Sequence, residues 1–205
     1  MRRALLVCAV LALVPFAPLG ERSAHPCGNA VYLDTDEATR LVARGERALK
    51  AGQFRRALAI LEPEDVVLPS RALERRRALL AATATLRLGD PDSAADRFAT
   101  LFRRDPEDPV VRTRLAESLA QMAWLRDLPR ARQRLAAKAL ELLDDLERRD
   151  LVVDAEGYRA LGELRDFAGD RVGRDRAQAR CRSLAAEPGR CARGAPPLRE
   201  GAPGS

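Results

Sequence analysis

Apolar residues recur along the chain at helical spacing, and Asp, Pro and Gly cut the stripes at regular intervals. Asp34, Thr35 or Asp36 can cap a helix running to Ala51, Gly52-Gln53 turns, and Phe54 to Leu61 forms a short antiparallel partner. Pro63 and Pro69 interrupt the next segment, with Ser70 the cap of a long helix through Leu88. Asp90-Pro91, an N-cap followed by proline at the first helical position, starts a helix to about Arg104. Asp105-Pro106 and Asp108-Pro109 offer the next start, for a helix to about Arg126. Pro129 opens another to about Asp150, in which Leu135, Ala139, Leu142, Leu143 and Leu146 share one stripe. At 1.5 Å per residue this helix extends ~30 Å, longer than its counterparts, so its end overhangs or covers a neighbour. Asp154 and Asp170 begin a final pair, and no strand is predicted.

The punctuation is periodic. Gly45, Ala48, Gly52, Phe54, Ala57, Leu61 and Pro69 have the same mutual spacings as Ala82, Thr85, Gly89, Pro91, Ala94, Phe98 and Pro106, 37 residues on, near the period of about 34 residues of one known helical repeat. Antiparallel helices approach closely only where small side chains meet, which assigns Gly45 to Ala57 and Ala82 to Ala94. Phe54, Leu61, Phe98 and Leu101 then fill the seams between pairs. One pair cannot bury its apolar face, so at least about three must stack.

These residues resemble the tetratricopeptide repeat (TPR) family. A third match is partial: Tyr158, Leu161, Gly162 and Gly169 fit a first helix, but Arg174 stands where the second helix should carry a small residue. Between them, Val110 to Arg149 resembles a unit of nonstandard length, with Leu115, Ala116 and Leu119 in its first helix. The resemblance implies an all-α, right-handed α-solenoid of about four antiparallel helix pairs over residues 36–187, the third pair elongated. A generic Ala/Leu/Arg helical bundle is the competing architecture.

Composition agrees with stacked helices: only 4% of the 205 residues are aromatic, so burial falls to Leu, Val and Ala. Residues 1–24 read as a signal peptide. Met1-Arg2-Arg3 is basic, Ala4 to Val14 is apolar but too short to span a bilayer, and Pro15, Pro18 and Gly20 come next. Cleavage falls between Glu21 and Asn29, Pro26 argues against a lipid anchor on Cys27, and the chain is expected in the periplasm or beyond. Residues 25–35 then form an extended segment. Residues 188–205, rich in Pro, Gly and Arg, are expected to be disordered apart from any disulfide.

Export would leave Cys27, Cys181 and Cys191 in a compartment that permits disulfides. A Cys181 to Cys191 bond would pin the tail to the last helix; three free thiols, or Cys27 paired with either of the others, are the alternatives. His25, the sole histidine, could join the three cysteines around zinc, but their spacing matches no zinc motif, so no metal is expected. Neither a Cys/His nor a Ser/His arrangement can be built, no phosphate loop follows a strand, and Glu64-Asp65 and Asp144-Asp145 read as solvated faces. Neither catalysis nor a cofactor is expected.

The net charge of +6 is carried almost wholly by arginine, a skew explained more easily by a GC-rich coding sequence than by arginine chemistry. The pI near 9.7 raises nucleic-acid binding. Losing Arg2, Arg3, Glu21 and Arg22 lowers the charge to +4, however, and acidic residues interleave the remaining arginines. Arg75-Arg76-Arg77 spreads around its helix at about 100° per residue, whereas tracking phosphates needs aligned cations. No nucleic acid is expected.

The TPR resemblance implies a concave groove, lined by the first helices, that holds an extended peptide or a partner helix. Its positions fall on Val42, Glu46, Leu49 and Lys50, then Arg76, Leu79, Thr83 and Arg87, with Thr113, Glu117 and Gln121 from the irregular unit. Val42 and Glu46 replace the Lys/Asn clamp with which some TPR proteins hold a peptide carboxylate. The expectation is an exported, non-catalytic scaffold or adaptor for a protein or peptide, with no membrane span in the mature chain. Two alternatives stand beside it: an accessory subunit of an envelope assembly that makes contact through its end faces, and a groove that is simply a solenoid's polar face.

Overall fold

The computed structural model describes residues 31–63 and 66–191. Among these residues eight helices run in order: α1 (Thr35–Lys50), α2 (Phe54–Leu61), α3 (Arg71–Arg87), α4 (Pro91–Arg104), α5 (Pro109–Leu125), α6 (Pro129–Arg148), α7 (Ala155–Phe167) and α8 (Arg171–Leu184). They pack as successive pairs, α1 with α2 through α7 with α8, and each pair stacks on the next. Six begin where a side-chain oxygen accepts an orphan backbone N–H of the first turn: Asp34, Ser70, Asp90, Asp108, Asp154 and Asp170. The expected signal peptide, His25, Cys27, Glu64, Asp65 and the tail beyond Cys191 lie outside the described residues.

Three pair turns use glycine in the left-handed region, where a side chain would be strained: Gly52 at φ 73°, Gly89 at 85° and Gly169 at 81°. The third pair has no such glycine. Arg126 leaves α5 in an extended conformation instead, and Leu128 occupies the start of α6 with no side-chain cap. This replaced turn is where the third unit departs from the repeat. The 20-residue α6 buries nothing before Ala136, so its extra length projects at its N-terminal end.

Two packing expectations change in detail. Gly45 is kept small by Leu61 rather than Ala57: an added Cβ would lie 2.4 Å from Leu61 Cδ2. In the fourth pair Gly162 faces Ala177 and Gln178, while Arg174 pairs with Asp166 and Asp175. The Arg174 carbonyl also lies 3.6 Å from where a Cβ on Gly162 would stand, so the arginine keeps its place at the contact with its side chain turned to those acids.

Short strands, absent from the sequence expectation, also form. Val31–Tyr32 (β1) runs parallel to Val66–Val67 (β2). Leu33, Val66 and Leu68 thereby pack with Ala38, Leu41 and Val42 of α1, as a floor for the first pair. The core is uneven. One cluster runs from Ala82 to Cys191, whereas the first pair joins α3 through Ala48, Ala57, Leu61, Ala81 and Ala84.

At the other end, Cys181 and Cys191 form a disulfide, and Pro188–Cys191 makes a 3-10 turn against α7 and α8. The fold therefore continues into the segment expected to be disordered, because Cys191 is buried with Cys181 in the main core. Closing the ten-residue separation restricts the unfolded chain by about 2 to 3 kcal/mol. The C181A/C191A variant should lose about that much stability in urea unfolding, with wild type plus reductant matching it.

Candidate functional site

The first helices of successive pairs touch one another, α1 with α3, α3 with α5 and α5 with α7, whereas among the described residues α2, α4, α6 and α8 contact no other second helix. A row of helices in mutual contact beside a row spread apart is curved, with the first helices inside. The groove positions therefore lie on one inner surface, but not all of them reach it.

Glu46, Lys50, Arg76, Thr83, Arg87 and Gln121 are exposed or half-buried there, with Leu49 and Leu79 half-buried among them. Val42, Thr113 and Glu117 are not available. Val42 packs with Leu68. The Thr113 hydroxyl donates to the Pro109 carbonyl at 2.8 Å, and its methyl fills the space beside Gly157. Glu117, only 1% exposed, is enclosed by arginines. On α5 the arginines Arg87 and Arg114 cover Glu117, and the start of α7 at Gly157 covers Thr113, whereas Gln121 is left half-buried.

Two ionic groups organise this surface. On α1 and α3, Glu46 meets Lys50 at 2.9 Å and also Arg76. The Lys50 ammonium and then Arg76 outweigh partial burial and hold the Glu46 carboxyl below the usual carboxylate range. Because its folded value is depressed, any stabilisation from this cluster is present above the ordinary carboxylate range and lost as pH falls through that lowered value.

The second group was only half legible. Glu117 accepts from Arg114, Arg114 reaches Asp154, and Asp154 accepts the Gly157 N–H at 3.1 Å to cap α7. Arg87 of α3 approaches Glu117 Oε2 at 3.4 Å, and that buried oxygen has no hydrogen bond. Side chains of three successive first helices are thus joined through charge. Burial opposes the Arg114 charge, but Glu117 and Asp154 outweigh it and raise its pKa far above the ordinary arginine value. The i, i+3 spacing of Arg114 and Glu117 was visible in sequence; the link to Asp154, 40 residues on, was not.

Elsewhere arginines tie helices together, both between units and, for Arg112 and Asp145, within the third one. Arg126 pairs with Asp92 and Arg97 with Glu62, 34 and 35 residues apart, and Arg112 with Asp145 at 2.6 Å, 33 apart. The run Arg75-Arg76-Arg77 divides three ways, to Asp105 and Asp108, to Glu46, and to the Val66 carbonyl.

Comparison with a solved structure agrees with this architecture. The crystal structure of TTC0263, a thermophilic TPR protein in Thermus thermophilus, superposes with a TM-score of 0.58 at 20% identity, over 72% of this chain and 74% of that one. The chain has the TPR fold. No family model and no curated protein matches the sequence, so it is structure rather than sequence similarity that places this TPR-type stack. Among the described residues, no helix is long and apolar enough to cross a membrane, and no group of three or more His, Cys, Asp or Glu could hold a metal.

Proposed function

We propose that the protein is an exported TPR-type scaffold whose inner surface holds an acidic, extended segment of a partner protein. The observation that carries this reading is Arg87. Its half-buried guanidinium makes one ion pair, to buried Glu117 at 3.4 Å, so the N–H donors outside that contact can take a partner carboxylate. Lys50 and Arg76 add cations on the same surface, and Leu49 and Leu79 supply apolar contact between them. The Cys181–Cys191 disulfide suits an oxidising compartment and supports export.

The test is recovery of partners from the envelope fraction with wild type and with R76E/R87E. Loss of two charge-assisted contacts is expected to reduce recovery roughly tenfold or more. Undiminished recovery would place the contact outside the groove.

The end-face alternative has less support. The exposed positions of α1 and α8 are mostly polar, among them Asp36, Arg40, Arg44, Asp175, Arg176 and Arg182, with Val172 and Leu184 of α8 the large apolar exceptions, and polar terminal faces are what finish a solenoid.

A further inference from the structure

We propose that the turn edge of the third and fourth pairs docks on an anionic lipid bilayer. Large apolar side chains are exposed there at neighbouring turns: Leu125 is 64% exposed, Leu128 72%, Phe167 45% and Val172 73%. Leu125 ends α5, Leu128 precedes α6, Phe167 ends α7 and Val172 lies in the first turn of α8. The Trp124 ring meets Phe167 edge-on at 5.3 Å between centroids, which joins the two turns into one patch. The leucine is notable because six helices place Asp or Ser where α6 places Leu128. This surface is separate from the inner groove and independent of what the groove binds.

Charge identifies the occupant. Arg130 and Arg134 stand one turn apart on the projecting start of α6, and Arg171 opens α8 beside Val172. About half of the arginines among the described residues have an acidic partner, and these three, all exposed beside the apolar turns, form no ion pair with a described residue. The nearby acids are largely engaged: Asp166 with Arg174, Asp170 as the cap of α8 and Asp92 with Arg126, leaving Asp127. Protruding leucines and aromatics flanked by unpaired arginines match the acyl boundary and phosphate layer of a membrane surface. Four side chains spread over two turns fall well short of the roughly 1,200 Å² of a stable protein interface. They are enough for reversible bilayer attachment when cations assist.

Trp124 is the only tryptophan, so its emission reports on this edge alone. With the full chain, vesicles of phosphatidylglycerol and phosphatidylethanolamine should shift the emission to shorter wavelength, and brominated lipid should quench it. Phosphatidylcholine vesicles should do so far more weakly. L125E/L128E is expected to abolish the quenching, and R130E/R134E to weaken binding to the anionic vesicles roughly tenfold, both with helical circular dichroism unchanged because all four positions lie outside the core. Flotation without quenching, unaffected by L125E/L128E, would assign binding to another segment such as Ala4 to Val14 and overturn the proposal. A blue shift that grows with protein concentration in the absence of lipid would make the edge a contact between two copies and overturn it equally.

Discussion

Replacing Arg114 with methionine is expected to lower the unfolding free energy by about 3 to 5 kcal/mol, the cost of removing one member of a buried ion pair. The volume is nearly kept, so lost packing contributes little. The variant strands the Glu117 carboxylate, 1% exposed, with Arg87 at 3.4 Å as its only cation. Asp154 is better placed to survive the change, because it is partly exposed and still accepts the Gly157 N–H. The double variant R114M/E117M removes the stranded charge with its partner and should be more stable than R114M, since well-packed apolar replacements of a buried pair are often neutral. Urea unfolding of wild type, both single variants and the double variant closes the cycle. A loss below about 1 kcal/mol for R114M, the range of an exposed pair, would show that the network is solvated rather than enclosed.

The same residues mark the limit of what could be read in advance. Helix starts were legible because Asp34, Ser70, Asp90, Asp108, Asp154 and Asp170 are caps whose chemistry is local. The pairing of helices followed from the spacing of glycines and alanines. Arg114 and Asp154 belong to different pairs, and nothing local distinguishes them from the many Arg and Asp residues that face solvent. Thr113 and Glu117 failed as groove residues for the same reason: whether a position on a first helix is covered depends on how closely its neighbours approach. The β1–β2 contact escaped notice because two residues on each side leave no periodicity. The TPR fold was recoverable from two regular units, although the third unit has lost its turn glycine.

Leu61→Ala should expose the weakest joint in the stack. Leu61 is the only large, fully buried side chain in the cluster that joins the first pair to α3; its companions are Ala48, Ala57, Ala81 and Ala84. Its methyl groups occupy the space that Gly45 leaves open, so truncation both removes transferred surface and leaves a cavity between α1 and α2. Such a change costs about 2 to 5 kcal/mol. In a repeat stack that cost falls on one interface rather than on the whole domain. The core from Ala82 to Cys191 does not include Leu61 and should retain its stability. Two outcomes therefore belong together: an early loss of helix in thermal melting, and fast amide exchange through Thr35–Lys50 and Phe54–Leu61 while α5 and α6 stay protected. Uniformly accelerated exchange through α6 would instead mean that the four pairs unfold as one unit. Staples such as Arg97–Glu62 and Arg76–Glu46 cross this joint, but at exposed positions each adds only about 0 to 1 kcal/mol. They cannot replace one leucine, so what holds the first pair once Leu61 is truncated is the separate cluster of Leu41, Val42 and Leu68 with Leu73 and Leu80 of α3.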